Sequence, residues 1–235
     1  MTPIGKPLPD SCETRWHILP DMHALATAAS KRILESARQA ISERGMFQIV
    51  LAGGTTPEAV YLLLANADSD WSCWQIYFGD ERCLPAGHAE RNSTMVSACW
   101  LDRVALPAAN IHPINAESGA EAAAQAYAPV IEQARPFDMV LLGVGEDGHT
   151  ASLFPGQQHP ADQLVHAVHN APKPPPDRVS LSAGALNEAR EVLILVTGAG
   201  KQAAIRGWRA GEQLPIAGIG GSAQVDVLLD KAAQA

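Results

Sequence analysis

Basic residues are scarce in this 235-residue chain: 17 Lys and Arg stand against 25 Asp and Glu, a formal charge of -8. Nucleic-acid binding draws on clustered Lys and Arg to neutralise phosphates, and no basic run occurs, so a generic nucleic-acid binder is excluded. If the ligand is an anion, a few basic side chains must outweigh the overall field locally. Cysteine is also sparse. Cys12, Cys73, Cys83 and Cys99 form no CxxC pair, which argues for reduced thiols and against a metal or redox motif. No segment approaches the roughly 18 continuous apolar residues of a membrane span, and "MTPIGKPLPD" has no signal-peptide core, so a cytoplasmic protein is expected.

What is present is an ordinary globular composition, 47% hydrophobic and 18% charged, enough for a full core. We expect a single domain over residues 1–235. From Asp21 to Arg44, Met22, Leu25, Ala29, Ile33, Ala37 and Ile41 recur at helical spacing, with Gly45 as C-cap. The apolar run "FQIVLA" then leads through Gly-Gly into the helical "PEAVYLLLANA". The alternation continues. "WQIYFGD", "NIHPI", "FDMVLLGVG", "LVHAVHN", "RVSLS" and "EVLILVTG" read as strands. "NSTMVSACWLDRV", "SGAEAAAQAYAPVIEQA", "AGALNEA" and "GKQAAIRGWRA" read as helices, with a helical turn at "GHTASLF". Continuous apolar strands separated by helices imply an α/β fold in three layers, a mainly parallel Rossmann-like sheet with helices on both faces. Ligands in such folds bind at the carboxyl edge of the strands. "APKPPPDR" reads as an extended loop, not a linker.

Several motifs fall at that edge. In "VLAGGTTPEAV", Gly53 and Gly54 permit close approaches that a β-carbon forbids, Thr56 stands at an N-cap position and Pro57 at the first helical position. Outward N–H groups beside the hydroxyls of Thr55 and Thr56 suit a phosphate. "YFGDERCLP" places Asp80, Glu81 and Arg82 directly after a strand. "MVLLGVGEDGHTASLFPG" delivers Asp147 and His149, and a histidine so placed can take a proton from water. His166, His169 and the remaining histidines read as structural. Arg178 in "PDRVSLS" and Lys201 in "LVTGAGK" are candidate charge partners for an anion; the G-x-G before Lys201 lacks the dinucleotide fingerprint. No HxxxH or Cys/His spacing supports a metal.

In order and spacing, "LAGGTTP", "FGDERCLP", "LLGVGEDGHTASLFPG", "RVSLS" and "VTGAGK" resemble the 6-phosphogluconolactonases of the pentose phosphate pathway, from about the first helix to Lys201. The wider superfamily includes glucosamine-6-phosphate deaminase/isomerases, which carry Asn-Glu-Pro after the histidine where this chain has "SLFPG". Thr55 stands where lactonases often have Ser. The resemblance implies hydrolysis of 6-phospho-D-glucono-1,5-lactone without metal or organic cofactor, by a monomer or weak homodimer. It implies His149 as general base, oriented by Asp147 or Asp80. Gly53, Gly54, Thr55 and Thr56 would cradle the phosphate with Arg178 and Lys201, and Arg82 would serve either the phosphate or the lactone carbonyl. The competing expectations are a deaminase/isomerase of amino-sugar phosphates and a non-catalytic sugar-phosphate sensor.

Overall fold

Strands of uninterrupted apolar residues must be covered on both faces, and the intervening helices of this chain supply the cover. The computed structural model describes residues 14–220 and 224–235. In chain order it carries β1 (Arg15–Leu19), α1 (Met22–Arg44), β2 (Phe47–Leu51), α2 (Thr55–Leu64), β3 (Trp74–Phe78), β4 (Asp80–Arg82), α3 (Asn92–Cys99) and β5 (Ile111–His112). There follow α4 (Ala120–Ala134), β6 (Phe137–Gly143), β7 (Val165–Val168), β8 (Arg178–Leu181), α5 (Ala183–Asn187), β9 (Ala189–Val196), α6 (Gln202–Arg209) and β10 (Gln224–Asp230). Cys12 lies outside the described residues, and no described helix is long and apolar enough to cross a membrane.

The helix α1 begins and ends where its residues require. The Asp21 carboxylate accepts a hydrogen bond from the Ala24 N–H at 2.9 Å, and Gly45, at φ 79°, donates to the Ile41 carbonyl. Its buried stripe is Leu25, Ala29, Ile33, Ala37 and Ala40; Met22 is exposed and Ile41 only half-buried. Each large aliphatic side chain so buried contributes about 1.5–3 kcal/mol.

A seven-stranded parallel sheet in the order β1-β10-β9-β6-β2-β3-β5 forms the centre, flanked by helices. From β2 the chain moves to β3 on one side and later to β6 on the other, so the strand order switches direction between β2 and β6. Loops leaving neighbouring strands diverge at such a point and open a crevice.

The structure corrects the sequence reading in four places. Asp80, Glu81 and Arg82, placed directly after a strand, form a strand of their own, β4, which joins β8 and β7 in a separate antiparallel sheet, with Asp80 opposite Ser180 and Arg82 opposite Arg178. The two strands "LVHAVHN" and "RVSLS" therefore stand outside the parallel sheet. β1 and β10 had no counterpart in the reading: "RWHIL" is only partly buried at the sheet edge, and "QVDVLLD" carries two aspartates. "GHTASLF" is no helical turn; Thr150 and Leu153 form a short bridge around Ala151, whose φ is 47°. Thr56 is not an N-cap, since α2 starts one residue earlier behind Gly54, and Pro57 is its third residue, where a missing N–H still costs no intrahelical bond.

The N-terminus of α3 is closed from outside the helix. The fully buried Glu81 carboxylate accepts from the N–H groups of Arg82, Asn92 and Ser93 at 2.7–2.9 Å and from the Ser93 hydroxyl at 2.7 Å, with Arg91 Nε at 3.5 Å. Glu81→Ala should therefore cost about 3 kcal/mol, because buried N–H donors at the start of α3 lose their acceptor and Arg91, which keeps Glu117 and the Ile114 carbonyl, loses a carboxylate beside it. Urea unfolding of the variant against wild type measures this, and a loss within about 0.5 kcal/mol, the range of an ordinary surface change, would refute it.

Candidate active site

The parallel strands β9, β6, β2 and β3 are consecutive neighbours, and the segments that leave their carboxyl ends meet in one cleft. β2 runs into Gly53 and Gly54, β3 through Gly79 into Asp80, β6 into the loop Gly145 to His149, and β9 into the turn before Lys201. The cleft, about 290 Å³, is lined by Gly53, Gly54, Asp80, Gly145, His149 and Lys201 from these segments, with Arg82, Asn92, Lys173 and Arg178.

His149 is fixed by its own loop. Gly145 donates its N–H to the His149 carbonyl at 2.7 Å, and Gly148 donates back to the Gly145 carbonyl at 3.1 Å. The loop folds so tightly that a Cβ at Gly145 would lie 2.0 Å from His149 Nδ1 and 2.6 Å from Asp147 Oδ1, so only glycine fits. The imidazole rests against the Phe154 ring, centroids 4.7 Å apart, and its Nδ1 lies 2.5 Å from Asp147 Oδ1. That contact assigns the Nδ1–H tautomer and leaves Nε2, which has no hydrogen bond among the described residues, as a proton acceptor. Burial holds the imidazole's pKa below its ordinary value, against the opposing pull of the Asp147 hydrogen bond and charge. Burial works to raise the Asp147 carboxyl, but the hydrogen bonds and charge of His149 prevail and leave it below the usual carboxylate range.

Asp80, the other carboxylate at this edge, does not meet the imidazole. Its Oδ1 accepts from Asn92 Nδ2 at 3.0 Å and its Oδ2 from the Ser152 hydroxyl at 2.6 Å. The two threonines also depart from expectation. Thr55 is exposed outside the cleft lining, and the buried Thr56 hydroxyl lies 2.6 Å from that of Thr197, joining the first turn of α2 to the loop after β9. The cradle at Gly53 and Gly54 is thus backbone, with the first turn of α2 uncapped by any side chain.

Four cations line the cleft, and none of Arg82, Lys173, Arg178 and Lys201 makes an ion pair among the described residues. Arg82 Nη1 donates to the Glu90 carbonyl. Arg178 donates through Nε to the Pro175 carbonyl and through Nη2 to those of Lys173 and Pro174, at 2.9–3.1 Å, with its guanidinium carbon 5.5 Å from the Phe154 ring centre. One buried side chain thereby ties the proline-rich loop to the wall that supports His149. Burial lowers the Lys201 pKa, opposed by Glu146. Lys173 was missed because "APKPPPDR" read as a plain loop; the lysine inside a rigid run, just ahead of Arg178, was the available signal. Asn92 and Ser152 carry no charge and offered none.

A Rossmann-like α/β protein with a proton-accepting imidazole beside unpaired cations is built to hold a small anion and act on it as an enzyme. The chain belongs to the family described as glucosamine-6-phosphate isomerases/6-phosphogluconolactonase, whose profile matches residues 20–228. It is 38% identical to a 6-phosphogluconolactonase of Streptomyces coelicolor over 91% of this chain and 90% of that protein. The crystal structure of 6-phosphogluconolactonase from Thermotoga maritima superposes with a TM-score of 0.86 at 28% identity, covering 93% of this chain and 99% of that one. A monomeric glucosamine-6-phosphate deaminase, at 18% identity and a TM-score of 0.83 over 94% of this chain and 98% of that one, shares the fold.

Asp147 raises the basicity of His149, so Asp147→Asn should move the acid limb of the pH–rate profile to lower pH, where protonation of the imidazole then begins. Its plateau rate should fall roughly 10- to 100-fold, less than the about 10⁴ of a buried triad, because the Asp147 side chain is 38% exposed. An acid limb unmoved, or moved upward, in a pH–kcat/KM titration would contradict the coupling.

Proposed function

We propose that the chain hydrolyses 6-phospho-D-glucono-1,5-lactone to 6-phospho-D-gluconate, the ring-opening step of the oxidative pentose phosphate pathway, with His149 as general base. The observation that carries this reading is the His149 Nε2 in the same cleft as four cations, the one without a hydrogen bond and the others without an ion pair among the described residues. Water gives a proton to Nε2 as its oxygen bonds to C1 of the lactone. The tetrahedral intermediate then breaks the bond between C1 and the ring oxygen, and the imidazolium returns the proton to that oxygen. Asp147 steadies the imidazolium in between. The Gly53 and Gly54 backbone, Arg178 and Lys201 take the phosphate, and Arg82 and Lys173 supply positive charge for the oxyanion. The step balances with water alone and calls on no metal or organic cofactor.

The deaminase/isomerase reading needs a carboxylate for ring opening. Residues Ser152 to Gly156 have none, and Phe154 stands against the imidazole instead. As a setting we propose the cytoplasm, in keeping with free thiols at Cys73, Cys83 and Cys99. We also propose one domain acting as a monomer or weak homodimer, in keeping with exposed large apolar side chains that are spread over β1 (Ile18), α1 (Met22), the α1–β2 connection (Met46) and α2 (Leu62).

A coupled assay, with freshly generated phosphogluconolactone followed through 6-phosphogluconate dehydrogenase, should show turnover above spontaneous hydrolysis. Ammonia release from glucosamine 6-phosphate, or thermal stabilisation by the sugar phosphate with no lactone turnover, would decide for the deaminase or the sensor. His149→Ala should lower kcat about 10²- to 10⁴-fold with a smaller change in KM. Lys201→Ala should raise KM about tenfold, near 1.4 kcal/mol of binding. Near-normal turnover of His149→Ala, background subtracted, would end the base assignment.

A further inference from the structure

Gly53 is surrounded in a way that a plain tight turn does not require. A Cβ built at this position would lie 1.9 Å from Asn92 Oδ1 and 2.5 Å from Asn92 Cγ, so the asparagine amide occupies the volume that any other residue at 53 would need. Asn92 is 3% exposed and held at both ends. Its backbone N–H donates to Glu81 Oε1 at 2.7 Å, and its Nδ2 donates to the Asp80 carbonyl at 2.9 Å and to Asp80 Oδ1 at 3.0 Å. The amide cannot rotate, because turning it over would set its oxygen against two acceptors. Asp80, 6% exposed, is anchored in turn by the Ser152 hydroxyl at 2.6 Å, so the bracket spans the segments that follow β2, β3 and β6.

We propose that Asn92 is a positioning residue for the anion cradle: its side chain, locked to Asp80, is the template against which the Gly53–Gly54 turn closes. Asp80 on this account is the anchor of that template and not a partner of His149. The inference rests on the reading of the turn as the phosphate end of a lactonase site. Without the template, Gly53 and Gly54 regain conformational freedom, and the backbone N–H groups that meet the phosphate must be ordered on binding. The chemistry at His149, on the loop after β6, is touched less.

Asn92→Ala should raise KM for the phosphorylated lactone about tenfold while kcat falls less than about threefold. Calorimetry should show 6-phosphogluconate binding weakened by a similar factor. Gly53→Ala in the native background should raise KM and lower Tm, and in the Asn92→Ala background it should cost markedly less on both, because the clash is gone. Asn92→Ser, which keeps a hydroxyl donor for Asp80, gives the same readout if Asn92→Ala does not fold. Unchanged KM and 6-phosphogluconate affinity in the Asn92 variant, or equal penalties for Gly53→Ala in both backgrounds, would overturn the positioning role while leaving lactone turnover standing. Absence of lactone turnover in the wild type would sink the proposed reaction instead, and a loss of 6-phosphogluconate affinity in Asn92→Ala would still support the template.

Discussion

Parallel pairing of β9, β6, β2 and β3 is the constraint on which the rest of this protein depends. Parallel strands in right-handed crossovers all end on one edge, so four segments distant in sequence are delivered to one rim. The rim becomes a cleft because the strand order reverses between β2 and β6 and the loops part there. Nothing in the individual loops would hold them together without the sheet. The contacts between these segments, Thr56 of α2 with Thr197 and Asp80 of β4 with Asn92 and Ser152, then fix the cleft to a definite shape.

Electrostatics at the rim run against the charge of the whole chain. The net charge is -8, yet the cleft gathers two arginines and two lysines without ion-pair partners among the described residues. Leaving cations unpaired and partly desolvated is unfavourable in the empty protein and is offset when an anion enters. The same low-dielectric surroundings lower the His149 pKa, against the pull of Asp147, and so favour the neutral imidazole that can accept a proton. Glu146, Asp147 and Asp80 lie near enough to favour the charged forms of Lys201 and Arg178, but no carboxylate among the described residues closes an ion pair with the four cations. Glu81 is spent on the end of α3, Asp80 on Asn92 and Ser152, and Asp147 on the imidazole.

Much of this was legible in the sequence where a local rule acts. The helix α1 is bracketed by Asp21 and Gly45 because capping is decided within a few residues. β6 was readable from the apolar run Met139–Leu142, and the tight loop holding His149 from the glycines around it. Legibility failed where the deciding partner is remote in sequence. β4 is a strand because β8, about a hundred residues later, pairs with it, and β10 exists because β9 and β1 flank it. The threonine hydroxyls beside the glycine turn looked suited to phosphate, but Thr56 was claimed by Thr197 from another loop and Thr55 faces solvent.

The sequence by itself determined the alternation of helices and apolar strands, the glycine turns, and the residue types available at strand ends, because periodicity, capping and backbone freedom are local properties. Only the tertiary structure decided which side chains share the cleft: that Asp147 meets His149 while Asp80 anchors Asn92, that Lys173 joins the cations, and that Arg178 ties down the proline loop. Those are choices among chemically similar groups, and they turn on distances of a few ångströms set by strand pairing and loop packing, which no short stretch of residues specifies.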